Sequence, residues 1–93
     1  MTSLEELRTQ LSDVDDQITD LYEKRMKICE DLGTCKIKNG YKTFDRQREK
    51  NKIAEVMGKV SSDFNKKGIG EVYELLLAIS RKLQYKQDRK SVV

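Results

Sequence analysis

Apolar residues stand at Leu4, Leu7, Leu11, Val14, Ile18, Leu21, Ile28 and Leu32, three or four apart except where a charged residue intervenes. That is the period of one face of an α-helix, and it predicts a single amphipathic helix over residues 3–38. Ser3 with Glu6 three residues on forms a capping box, and Asn39-Gly40 supplies the stop. Between them only Gly33 is a strong breaker, tolerated inside a helix at about 1 kcal/mol. Asp45 is placed to cap a second helix over residues 45–59, whose buried side is marked by Ile53, Val56, Met57 and Val60. Residues 61–68 read as a loop, and Gly68-Ile69-Gly70 as a turn, because no strand precedes it and the third glycine of a dinucleotide fingerprint is absent. A third helix is expected over residues 70–88, with Val72, Leu75, Leu76, Ile79 and Leu83 on its apolar stripe. No strand pattern, repeat or proline occurs. The expected fold is all-α, one domain over residues 1–93, with three helices of which the first is very long.

That length has a quaternary consequence. About 36 residues at about 1.5 Å each make a rod of roughly 54 Å, whereas a compact chain of this size is roughly 32 Å across. The rod overhangs its own domain with an apolar stripe along its full length, and the simplest cover is a second copy of the chain. An intertwined helical homodimer is therefore expected.

Charged residues make up 38% and apolar ones 37% of the chain, which still supplies enough aliphatic side chains for packed helices. The 19 basic and 16 acidic residues are interspersed, for a net charge of +3, so the single-sign field of a nucleic-acid binder is missing and a small anionic ligand fits better. The locally basic stretch 81–90 reads as a solvated helix end. No apolar run is long enough to span a bilayer and the start is acidic where a signal peptide would be basic; a cytoplasmic protein without membrane contact is expected. Cys29 and Cys35, about 9 Å apart on one helix, are too distant for a disulfide. With no His and two isolated Cys, neither a transition-metal site nor a histidine base is available.

The informative residues interrupt the stripes. Continuing the heptad from Leu4, Leu11 and Ile18 places Arg25 at a core position, where a cation needs an anion or a route to solvent. Glu23 and Glu30 are possible partners. Lys36 follows eleven residues later on the same face, about 16 Å along the axis. On the second helix the series Ile53, Val56, Val60 extends back to Glu49, whose inward phase the helix dipole does not explain. On the third, Ser80 and Gln84 are one turn apart beside the apolar stripe. Together they describe a polar, net cationic pocket inside a helix bundle.

These residues sit within stretches that resemble the all-helical chorismate mutase family: Leu4-Glu5-Glu6-Leu7-Arg8, Val14-Asp15, Arg25, Gly33-Thr34-Cys35-Lys36, Phe44-Asp45-Arg46-Gln47-Arg48-Glu49 and Ile79-Ser80-Arg81-Lys82-Leu83-Gln84. The resemblance spans nearly the whole chain. It implies the rearrangement of chorismate to prephenate in aromatic amino-acid biosynthesis, with Arg8 and Arg25 holding the two carboxylates and Arg8 arriving from the other subunit. Spacing supports that last point, since seventeen residues separate the two arginines by about 25 Å along one rod. The resemblance further implies that Lys36 and Gln84 donate to the ether oxygen, Lys36 also touching a carboxylate. Glu49 with the Asp45 backbone would hold the ring hydroxyl, and Ser80 would assist carboxylate binding. The reaction is an intramolecular pericyclic rearrangement, so no cofactor, metal, nucleophile or base is expected, only confinement and donors aimed at the oxygen that gains charge.

Two rivals stand beside this reading. An isochorismate pyruvate-lyase on the same fold uses a similar cationic pocket, although Glu49 and Ser80 favour the mutase. A non-catalytic dimerisation module would need only the heptads and leaves Arg25, Glu49 and Gln84 unexplained. Cys35, beside Lys36, is read as a packing residue, with thiol sensitivity of the site as the alternative.

Overall fold

The computed structural model describes residues 3–42 and 44–91, so the outermost residues of the expected domain lie outside the described part. Three helices make up the fold: α1 (Leu4–Asn39), α2 (Arg46–Met57) and α3 (Asp63–Ser91). Each begins where a short polar side chain takes up backbone N–H groups that have no partner in the first turn. Ser3 Oγ accepts from Glu6 N at 3.1 Å, Asp45 Oδ1 from Arg48 N at 3.1 Å, and Ser62 Oγ from Asn65 N at 3.0 Å. α1 ends as expected at Gly40, in the left-handed region with φ 73°. There Tyr41 N donates to Lys36 O and Gly40 N to Ile37 O, a paired closure that favours glycine.

The start of α3 departs from the sequence reading. Residues 63–68, expected as a loop, and Gly68-Ile69-Gly70, expected as a turn, are all helical. The cap lies at Ser62, eight residues before the expected third-helix start at position 70. Gly70 is buried, and a Cβ there would meet Met57 Sδ at 3.2 Å. The glycine lets the end of α2 approach α3 closely; it does not turn the chain. α2 itself closes at Met57, two residues before its expected end.

α3 packs against both α1 and α2, which share no comparable contact with each other among the described residues. α3 is thus a floor, with α1 and α2 rising from it as separate walls. At the α1 crossing, Gly33 is buried and Gln87 lies across it, donating from Nε2 to Glu30 O at 2.8 Å.

The chain is far from compact. It measures 59 × 25 × 14 Å with a radius of gyration of 16.9 Å, against about 12 Å for a compact chain of this length. From Leu4 to Lys24 every residue of α1 is exposed, including Leu4, Leu7, Leu11, Val14, Ile18 and Leu21. Cys29 is the one buried hydrophobic side chain among the described residues. The overhang inferred from helix length is therefore present, and a single chain leaves its apolar stripe uncovered. No described helix is long and apolar enough to cross a membrane.

Candidate active site

The three helices face a cavity of about 250 Å³. α1 contributes Arg25, Cys29, Leu32 and Lys36; the start of α2 contributes Asp45, Arg48, Glu49 and Lys52; α3 contributes Leu77, Ser80, Arg81 and Gln84. On each element the spacing is three or four residues, so each presents one face. Five cations against two carboxylates line the space. Of the expected site residues, Arg25, Lys36, Asp45, Glu49, Ser80 and Gln84 are brought together here.

Arg25 carries the clearest signal. Its Nη1 donates to Ser80 Oγ at 2.6 Å and to Cys29 Sγ at 3.5 Å, and among the described residues it forms no ion pair. Glu23 and Glu30 do not meet it. Ser80, only 7% exposed, commits its own proton to Leu76 O at 2.9 Å and so meets Arg25 as an acceptor. A half-buried guanidinium held by a hydroxyl and a thiol keeps most of its donors and its full charge for something else. At the far end of the α1 face, Lys36 Nζ donates to Gln84 Oε1 at 3.4 Å. Gln84 is as deeply buried as Ser80, and this bond turns its carbonyl to the lysine and leaves its amide group to donate elsewhere.

Lys52 and Arg81 are each tied to an acid. Lys52 donates to Glu55 at 3.0 Å, and this bond, followed by that from Lys59, holds the Glu55 carboxyl below its ordinary pKa. Arg81 pairs with Glu49 across the gap between α3 and α2. Arg48 forms no ion pair among the described residues, and its backbone N–H is the one that Asp45 caps. Arg25 and Arg48 therefore give the cavity its positive character.

A family profile described as chorismate mutase type II matches residues 7–85. The chain belongs to that family. It is an isomerase that rearranges chorismate to prephenate in aromatic amino-acid biosynthesis. Neither the curated proteins nor the solved structures yielded a match. The matched span of this mutase begins one residue before Arg8 and ends one after Gln84, so it takes in every expected site residue.

Arg8 is the one expected residue that does not reach the cavity. It lies on the exposed half of α1, where its guanidinium pairs with Glu5 at 3.2 Å. The sequence reading in turn passed over Arg48, Lys52, Arg81 and Cys29 as site residues. Their signal lay in adjacency and helical spacing, Arg48 and Arg81 being next to Glu49 and Ser80, Lys52 three residues past Glu49 and Cys29 four past Arg25, visible only once Arg25, Glu49 and Ser80 are known to face inward. Cys35 is exposed and unbridged, contrary to a packing role within the chain. It lines a second cavity of about 590 Å³, which shares Leu32, Lys36, Asp45 and Arg48 with the first.

Proposed function

We propose that the 250 Å³ cavity is where this mutase holds chorismate, one domain over residues 1–93 supplying all but one of the contacts. The observation that carries the reading is Arg25, a half-buried cation with hydrogen-bond partners but no counter-ion among the described residues. An unpaired charge at such a place is costly unless a ligand completes it, and a carboxylate of chorismate does so. Ser80 assists by fixing the guanidinium, since its own proton is already donated to Leu76 O. Lys36 and the Gln84 amide converge on the ether oxygen, which gains negative charge as the C–O bond breaks; Lys36 also reaches a carboxylate. Glu49, with the Asp45 backbone, accepts from the ring hydroxyl. Arg48 adds a third cation on the α2 wall.

The second carboxylate requires Arg8 of the partner subunit. About 25 Å of helix separates Arg8 from Arg25 within one chain, and the exposed apolar stripe from Leu4 to Leu21 gives a second copy a surface to cover. In the homodimer the front half of each α1 would reach over the other chain's cavity. Catalysis then consists of confinement in a chair-like geometry and preorganised donors, with no cofactor and no covalent intermediate. A water-filled compartment such as the cytoplasm, without nucleic-acid or membrane partners, fits a small diffusible substrate.

The test follows chorismate absorbance with purified protein and identifies the product, then repeats with Arg25→Ala and Gln84→Ala. Prephenate formation that nearly vanishes in both variants, with helicity and oligomeric state unchanged, is expected. Turnover surviving either substitution would remove this cavity from the reaction.

A further inference from the structure

Arg81 sits on α3 at the edge of the cavity, one residue past Ser80, and makes two contacts that cross between elements. Its Nη1 pairs with Glu49 Oε1 on α2. Its guanidinium also lies over the Phe44 ring, 5.0 Å from the centroid. Phe44 immediately precedes Asp45, the residue that caps α2. One side chain thus ties α3 both to the acid in the cavity and to the segment that leads into its helix. The pair is two-thirds or more covered, with 32% of the Arg81 side chain and 20% of that of Glu49 exposed.

The need for such a tie follows from the charges. Glu49 is a carboxylate in a space lined by Arg25, Lys36 and Arg48. Left unrestrained, it would fold onto one of these cations, neutralising a group needed for a substrate carboxylate and losing its own acceptor position. A cation on the α3 floor that takes one carboxylate oxygen prevents this and leaves Oε2 to accept. The planar, always-charged guanidinium suits the task, since it can bond edge-on to the carboxylate while stacking on the phenyl face.

We infer that Arg81 is a positioning residue for the mutase reaction: it holds Glu49 away from the substrate-binding cations and oriented to receive the ring hydroxyl. This rests on the reading that Glu49 meets that hydroxyl. Arg81 acts through Glu49, so its effect should disappear when Glu49 no longer carries a charge.

The experiment is a double-substitution cycle on the full chain, with kcat and KM measured for the wild type, Arg81→Met, Glu49→Gln and the pair. Methionine keeps the length and apolar stem of arginine without its charge. Arg81→Met should lower kcat/KM about 10-fold or more, the size of a lost charge-assisted hydrogen bond, mainly through KM. On the Glu49→Gln background the same change should cost less than about twofold, since coupled residues are not additive. Arg81→Lys, which keeps the charge but not the planar stack on Phe44, should recover part of the loss. An equal loss from Arg81→Met on both backgrounds, with Glu49→Gln itself impaired, would overturn the inference and make Arg81 a direct substrate contact or a purely structural group. A Glu49→Gln variant as active as wild type would sink the reading of Glu49, and this inference with it. Circular dichroism checks the fold. If Arg81→Met does not fold, Arg81→Gln with and without Glu49→Gln is compared in the same way, and a loss persisting on both backgrounds again overturns it.

Discussion

The most direct consequence of the proposed assembly is that two inactive variants should repair one another. Arg8→Ala and Arg25→Ala each remove one of the two arginines assigned to a site, and truncating one partner of a hydrogen-bonded charge pair costs about 2–5 kcal/mol, or roughly 30-fold and upward in activity. Each variant alone should therefore be nearly silent. If every site takes Arg25 from one chain and Arg8 from the other, a mixed dimer contains one site with both arginines and one with neither. Random reassociation of equal amounts makes about half of the dimers mixed, so about a quarter of all sites become complete. Co-denaturing the two variants in urea, refolding them together and following chorismate loss should thus return about a quarter of wild-type activity. Native mass spectrometry confirms that mixed dimers formed. If they form and activity stays at the sum of the parents, Arg8 and Arg25 serve different sites or the same chain, and the intertwined reading is wrong.

The surface of the chain sets the scale of the interface in that experiment. A compact monomer of 10.9 kDa exposes about 5,600 Å², whereas this chain exposes 7818 Å². The excess, about 2,200 Å² per chain, is in the range of obligate homodimers when counted on both partners. Spontaneous exchange at room temperature should accordingly be slow, and for that reason the chains are unfolded before mixing.

Three further outcomes are expected. Gln84→Glu keeps the shape of the side chain but donates only when protonated, so kcat/KM should fall as pH rises through the introduced carboxyl's pKa, by about 10²–10³ once ionised; a pH profile as flat as the wild type's would remove Gln84 as a donor. Gly33→Ala gains about 1 kcal/mol of helix propensity but sets a Cβ 2.0 Å from Gln87 Oε1 and 3.2 Å from Gln84 Cγ. Swinging Gln87 away gives up its bond to Glu30 O, worth about 1 kcal/mol, so melting temperature should barely move while kcat falls several-fold as Gln84 shifts, and unchanged kinetics would refute this. Complete alkylation of exposed Cys35 should slow turnover, because an added group beside Lys36 intrudes on the adjoining cavity; mass spectrometry with activity assays on the same sample checks it, and full turnover would dismiss it.

The long helix was legible because every signal for it is local. Its apolar spacing, Ser3 at one end and Asn39-Gly40 at the other act within one or two turns, and the structure places α1 within a residue of the expected bounds. The start of α3 was not legible, because Gly68 and Gly70 carry the same local signal as a turn. Only the approach of Met57 to Gly70 shows that the missing side chain serves helix packing. The site divides in the same way. Arg25, Glu49, Ser80 and Gln84 stood out as polar residues at apolar phases, a contradiction visible within one helix. Arg48 and Arg81 are next to the inward Glu49 and Ser80, and Lys52 lies one turn past Glu49, positions where a charge at the edge of a solvated face is ordinary. What identifies them is the distance between helices, which no single helix encodes.

The charges in the cavity also explain why so few residues suffice. A pericyclic rearrangement asks the protein for no proton transfer, so each polar group has only to be in place before the substrate arrives. Such preorganisation is hardest for like charges, which repel, and for a lone acid among them, which collapses onto the nearest cation. Ties within and between helices resolve both problems: Ser80 and Cys29 hold Arg25 without neutralising it, while Arg81 engages Glu49 from α3. The two ties between helices end on α3, the floor shared by both walls. A perturbation that tilts α3 should therefore weaken substrate binding before it unfolds the chain, and chorismate, by bridging the walls, should raise the melting temperature of the wild type more than that of Arg25→Ala.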